Sequence, residues 1–281
     1  MGDGANGLAE TYRRDGFVFP IEVLSEAEAG SIRADLEAAE AEVADDPERS
    51  ALLRGSVNHL LPSFDALVRN ENLLAAAAQV LGPDLLVWSA GLFIKEAHTP
   101  KVVTWHQDLT YWGLDDVEET TGWVALSPAT VASGCMRFVR GSHRRRIVPH
   151  VDTFAADNQL SRGQEIAVEV DEDDGVAVEL HTGQASLHHG HLFHASGPNS
   201  TDDRRIGVAI RYIGPTMRQR TGERWMARLA CGEDRYGHFD LADPPRGRLH
   251  EADFERCRRD AAVRRGTLFA GADPSRNSRR N

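Results

Sequence analysis

Apolar and polar positions change their spacing along this chain near residue 85. Before it the spacing is helical. Ser25 followed by Glu28 is a capping-box pattern, and from there to about Val43 the residues Ile32, Leu36 and Ala39 fall on one stripe. The preceding DGFVFP reads as a short strand entering a core, and the run from Phe64 to Leu81 predicts a second helix, stopped by Gly82-Pro83. From Leu85 onward, short segments rich in Val, Ile, Phe and Trp alternate with turn residues: LLVWSAGLFIKEA, VVTWHQD, TGWVALSPA, CMRFVRGSH, GVAVELHTG, ASLHHGHLFHAS and RIGVAIRYIG. Short strands without regular intervening helices predict a mainly β fold with flanking helices, a double sheet, jelly roll or barrel rather than a doubly wound α/β sheet. Residues 150–164 and the acidic run at 171–174 read as solvated connections. Beyond Met217 the chain turns polar and Arg-rich, with a helix near His250 to Arg264 and a frayed SRNSRRN tail. The expected organisation is one domain over 1–281, with a helical region at 20–83, a β core at 85–214 and a C-terminal subregion at 215–281.

Charge narrows the class of partner. With 32 Lys+Arg against 43 Asp+Glu, the formal net charge of −11 opposes nucleic-acid or anionic-membrane binding, while leaving room for a small basic pocket. A homodimer is compatible with it. A chain of 281 residues buries about three quarters of its unfolded surface and needs no metal or disulfide merely to fold. Cys135, Cys231 and Cys257 are odd in number and far apart, which points to a reducing, cytoplasmic setting rather than a disulfide framework. The opening MGDGANGLAE lacks the basic-then-apolar texture of a secretory signal, and no run of 18 apolar residues occurs. Neither G-x-G-x-x-G nor G-x-x-x-x-G-K-[ST] is present, so no phosphate-binding loop is expected.

The candidate chemistry lies in WHQD. In an extended segment, side chains two apart share a face, so His106 and Asp108 converge while Gln107 points away. With one distant histidine, such a pair forms the 2-His-1-carboxylate set that holds Fe(II) and leaves positions open. An isolated H-x-D is more often a hydrogen-bonding surface pair. A second histidine-dense strand, HTGQASLHHGHLFHASGPN, changes the balance: a period of two puts His188 and His194 on one face and His189 and His191 on the other. Composition alone does not choose the ligand among them, and His181, His189 and His191 equally suit polar core or supporting roles.

Taken together, these motifs resemble the phytanoyl-CoA dioxygenase family, the double-stranded β-helix oxygenases dependent on Fe(II) and 2-oxoglutarate. The resemblance rests on HQDLTYW at His106 to Trp112, Trp123 in TTGWVALSPAT, SGCMRFVRGSH at Ser133 to His143 and HASGPNSTDDRR at His194 to Arg205. It covers roughly Asp15 to Gly214, with Arg140 in place of the usual proline before Gly141. It implies a jelly-roll, cupin-like fold, with His106, Asp108 and His194 as iron ligands. Arg205, eleven residues after His194, would pair bidentately with the distal carboxylate of 2-oxoglutarate, with Ser196 as hydroxyl partner, Trp123 lining the cosubstrate pocket and Lys95 meeting an anionic group. Arg204 belongs to the opposite face of the strand. Gln107, Tyr111, Trp112, Met136 and Arg137 lie near the expected mouth as substrate-shaping candidates, Leu187 and Phe193 are assigned to core, and His143 is structural or substrate-facing.

The activity so implied uses O2 and 2-oxoglutarate to hydroxylate an unactivated C–H bond, yielding succinate and CO2. Desaturation, ring formation or epoxidation are variants of the same chemistry. The presence of Asp108 disfavours halogenation, since related halogenases have Ala or Gly there. A 2-His-1-Asp zinc hydrolase is a rival that wants a general base such as that of H-E-x-x-H, which is absent. A cupin-type isomerase or binding protein is a second rival, with no need for Arg205. The expected substrate is a small or medium-sized metabolite, with secondary metabolism preferred. Its charge turns on where Lys95, Arg137 and Arg211 point.

Overall fold

A computed structural model describes residues 3–268 except 116–117, 156 and 161–162. The SRNSRRN tail lies outside these residues. The N-terminal part contains α1 (Asp3–Asp15), strand β1 (Phe17–Glu22), α2 (Glu26–Glu42), α3 (Pro47–Gly55), α4 (Val57–Leu60), α5 (Pro62–Leu67) and α6 (Glu71–Leu81). Helix α2 starts at its capping box: the Ser25 hydroxyl accepts from the Glu28 N–H, and the Glu28 carboxylate takes the Ser25 N–H at 2.7 Å. The helix expected over 64–81 is instead two. Asn70 accepts the N–H groups of Asn72 and Leu73, a side-chain cap that closes α5 and restarts the chain as α6. Helix α3 begins at Pro47 behind the Asp46 cap, a start signal that the apolar stripe alone did not reveal.

The strands follow as β2 (Leu85–Lys95), β3 (Val103–His106), then short helix α7 (Leu109–Trp112), β4 (Glu119–Ala125), β5 (Met136–Val139), β6 (His150–Asp152), β7 (Gln164–Ile166), β8 (Gly175–Val178), β9 (Gln184–His188), β10 (His194–Ser196), β11 (Arg205–Ile213), β12 (Met226–Cys231), β13 (Asp240–Leu241) and finally helix α8 (Glu251–Leu268). They form a seven-stranded sheet, β1-β9-β4-β11-β2-β12-β13, and a four-stranded sheet, β3-β10-β5-β8. All pairs in these two sheets are antiparallel except β12 with β13. This is the jelly-roll arrangement, mostly sheet with helices on the outside. Two differences from the expected layout stand out. The span expected to be a solvated connection holds the hairpin β6–β7, and the large sheet runs past residue 214, because β12 pairs with β2. Among the described residues no helix is long and apolar enough to cross a membrane, and all three cysteines are free.

Strand β11 divides the protein into two environments. Ile206, Val208, Ile210 and Tyr212 are fully buried on the helix side, packed with Leu36, Phe64 and Leu73. Arg205, Gly207, Ala209 and Arg211 alternate with them and face the smaller sheet. Gly207 has a packing reason: a Cβ there would sit 1.8 Å from Cζ2 of Trp123, so only glycine lets the indole lie across the strand. Further along, Trp88 stacks on both Trp112 and Trp225, with ring centroids 5.0 and 5.3 Å apart, and the Arg264 guanidinium of α8 covers Trp88 and Trp225. Thus the last helix is tied into the sheet through a stack of rings.

Two outcomes follow from this packing. Gly207→Ala is expected to overpack Trp123 and cost about 1–3 kcal/mol, read as a lower urea midpoint with an unchanged slope. Burial pushes His59 down to about 3, aided by Arg256 and Arg264, and burial with His191 pushes His189 down to about 3. Both stay neutral in the fold while the unfolded chain takes protons below about 6.5, so stability falls as pH drops from about 6.5 toward 3. The slope contributed is up to ~1.4 kcal/mol per pH unit for each histidine. Urea titrations between about pH 6.5 and 4.5, above most carboxylate titration, should show a shallower fall for His59→Leu than for the wild type.

Candidate active site

Strand β3 ends on His106 and β10 begins on His194, and the two residues stand directly opposite each other in the antiparallel register. Their rings lie 4.0 Å apart between centroids. Each Nδ1 is 2.9 Å from the carbonyl oxygen two residues earlier, Thr104 for His106 and Leu192 for His194. Each Nδ1–H therefore donates to backbone, which fixes the tautomer and turns the Nε2 lone pair toward the partner ring. The Asp108 carboxylate meets both, its Oδ1 3.4 Å from His106 Nε2 and 3.8 Å from His194 Nε2. Asp108 is not in extended backbone as the period-two reading assumed: its φ of −63° and ψ of −48° are helical. The chain turns there because the Leu109 N–H is captured by the Gly190 carbonyl, and the turn returns the carboxylate to the side of His106.

One ligand atom from each of His106, Asp108 and His194 lies within 4.8 Å of the others, two imidazole nitrogens and a carboxylate on one side of a cavity. That donor set fits a divalent iron with its remaining positions open. Burial opposes charge on Asp108, but its contacts with His106 and His194 and the nearby Arg211 hold its carboxyl well below the usual range. His194 is pushed down to about 4 by burial and then by His106, so it is an unprotonated donor at neutral pH.

The cavity continues from these residues to Arg205 and Ser196. Arg205 is 2% exposed. Its Nη1 donates to Gly134 O at 2.9 Å and its Nη2 to Phe93 O at 3.4 Å, while its guanidinium lies 5.2 Å from the Trp123 ring. Arg205 Nε and the Ser196 hydroxyl are buried without a partner, so two polar groups at one end of the cavity stand ready for a ligand. Gly134 sits in the left-handed region and abuts Gly197 O, where a Cβ would come within 2.4 Å, so the Ser133–Cys135 turn packs tightly on the loop after Ser196. Arg140, at the place of the expected proline, pairs with the buried Asp15 and covers Phe17, tying this turn region to α1.

Other expected site residues lie elsewhere. Lys95 is fully buried, but its ammonium donates to Lys101 O and Gly197 O at 2.8 and 2.6 Å and does not line the cavity. It anchors the loop after His194, and burial with the charge of Arg205 pushes its ammonium down to about 7. Gln107 is likewise spent on backbone, donating to Arg146 O and His191 O and accepting from Val148 N. Trp112 belongs to the tryptophan stack, Arg137 pairs with Glu172 over Trp105, and the Tyr111 side chain lies outside the described residues. Of the substrate-shaping candidates, Met136 lines the cavity. Arg204 points outward to Glu40 and Glu96, and His143 and His189 pack on each other at the α1 side. The cavity also takes in Phe93, Thr121, His188 and Arg211. His188 and Arg211 were legible by strand parity with His194 and Arg205, whereas Phe93 and Thr121 gave no chemical signal.

Known proteins share this arrangement. The sequence pattern of the phytanoyl-CoA dioxygenase family matches residues 12–207. A probable alpha-ketoglutarate-dependent hypophosphite dioxygenase of Stutzerimonas stutzeri is 27% identical over 197 residues, 69% of this chain and 65% of that protein's length. The ectoine dioxygenase of Nocardia farcinica is 29% identical over 223 residues, covering 71% of this chain and 74% of its own. Among solved structures, the non-heme monooxygenase ThoJ in its apo form superposes with a TM-score of 0.85 at 37% identity, covering 94% of this chain and 98% of its own. The match over 12–207, on a fold that brings His106, Asp108 and His194 together, establishes that this chain belongs to the phytanoyl-CoA dioxygenase family.

Proposed function

We propose that this protein is an Fe(II)- and 2-oxoglutarate-dependent dioxygenase that hydroxylates an unactivated C–H bond of a small or medium-sized metabolite. The observation that carries the reading is the pairing, in one cavity, of a three-donor iron set with a buried arginine that has an unspent N–H. His106, Asp108 and His194 would hold the metal. Arg205 and Ser196 would take the distal carboxylate of 2-oxoglutarate, the fork of the guanidinium matching the two oxygens. When bound, iron with 2-oxoglutarate and O2 supplies the oxidising power, releasing succinate and CO2.

What the chain itself contributes is position and exclusion. The backbone carbonyls of Thr104 and Leu192 hold both imidazoles in the metal-binding tautomer before any metal arrives. Trp123, laid over Gly207, walls the cosubstrate end, and Lys95 fixes the loop that carries Ser196. Phe93, Val103 and Met136 give the cavity apolar walls, which exclude water and strengthen each charge interaction inside. Substrate position relative to these walls then decides which C–H bond is presented.

The test is an anaerobic calorimetric titration of Fe(II)-loaded protein with 2-oxoglutarate, with optical detection of the metal-to-ligand charge-transfer band. Wild type is expected to bind and develop the band. His194→Ala should lose the band, and Arg205→Ala should weaken binding by about 30- to 160-fold, the loss of a charge-assisted pair of about 2–3 kcal/mol. Absence of binding to metal-loaded wild type would overturn the assignment.

A further inference from the structure

Arg205 accounts for one of the two guanidinium groups in the cavity. The other, Arg211, stands on the same face of β11 and is oriented differently. Its guanidinium carbon lies over the Phe93 and Trp112 rings, 5.5 and 5.3 Å from the two centroids. The one hydrogen bond it makes among the described residues is a long one, Nη1 to Ala209 O at 3.5 Å, and its Nε is buried with no partner. Asp108 and Glu119 act on it from a distance, but neither forms an ion pair with it among the described residues. Glu119 is engaged elsewhere, its Oε1 taking the Thr121 hydroxyl at 2.8 Å.

2-Oxoglutarate does not explain this second cation. Arg205 and Arg211 are six residues apart on an extended strand, about 20 Å, with Gly207 and Ala209 between them, and a five-carbon diacid is much shorter. A planar guanidinium held over two rings, with a buried N–H that has no partner, is a fork suited to a carboxylate. We infer that Arg211 is a substrate-binding residue and that the substrate carries one carboxylate, docked on the Arg211 guanidinium beside Phe93 and Trp112. Thr121 and His188, which line the same cavity, add a hydroxyl and an imidazole for the polar groups beside it.

This inference rests on the oxygenase reading, and its test separates the two. Zn(II)-loaded protein, with and without saturating 2-oxoglutarate, is titrated by ligand-observed NMR with matched acid and amide probes: benzoate against benzamide, and N-acetylphenylalanine against its amide. Wild type should prefer each acid by at least about tenfold. Arg211→Gln should weaken acid binding about tenfold and erase the preference, while 2-oxoglutarate affinity stays within about twofold; Arg211→Lys should keep part of the preference. Equal binding of acid and amide to wild type, binding of neither, or an undiminished acid preference in Arg211→Gln would overturn the inference. So would loss of 2-oxoglutarate binding in both well-folded variants, which would make Arg211 a support of the cosubstrate end. If wild type fails to bind 2-oxoglutarate, the oxygenase reading fails, and the arm without 2-oxoglutarate still decides whether Arg211 selects carboxylates.

Discussion

Everything at this site depends on one strand being held in one register. Strand β11 must show aliphatic side chains to the helices on one face and two arginines to the cavity on the other. A slip of one residue would exchange the faces, placing guanidinium groups against Leu36 and Phe64 and isoleucines against the metal ligands. The register is pinned on both sides. Arg205 to Arg211 pair in unbroken steps with Lys95 to Ser89 on β2, and Gly207 to Ile213 pair with Ala125 to Glu119 on β4. Desolvating two guanidinium groups is costly, and the apolar face of the same strand offsets it with fully buried Ile206, Val208, Ile210 and Tyr212.

The metal ligands solve a different problem, which is keeping donors aimed without a metal to organise them. Backbone carbonyls do this for both histidines. The β3–β10 pairing makes the two rings neighbours, and the turn at Asp108 supplies the charge. Because the orienting acceptors are main-chain atoms, no side-chain substitution removes them directly; only a change in strand pairing does.

The sequence made part of this legible and left part dark for physical reasons. Strand parity brought the H-x-D pair together, whereas His194 and Arg205 were singled out by the family resemblance, because parity leaves His188 and His194 on one face. The place of Arg211 on the face of Arg205 was left open in the sequence, although alternation along an unbroken strand carries that signal. What spacing does not record is where a long polar side chain ends. Lys95 and Gln107 lie on or beside the right strands, yet both are spent on carbonyls of loops, at residues 101 and 197 for the one and 146 and 191 for the other. The local backbone at Asp108 was hidden for the same reason, since its turn is set by Gly190, more than eighty residues away. The break between α5 and α6 was of another kind: Asn70 gave a readable cap inside a run whose apolar content suggested continuity.

The matched family pattern ends at residue 207, and that boundary falls inside β11, between its two arginines. Arg205 lies within the shared pattern together with the metal ligands. Arg211 lies beyond it, and so do Trp225 and Arg264, which complete the ring stack behind Trp112. A single strand thus carries one guanidinium inside the matched pattern and a second, six residues on, outside it, both lining the same cavity.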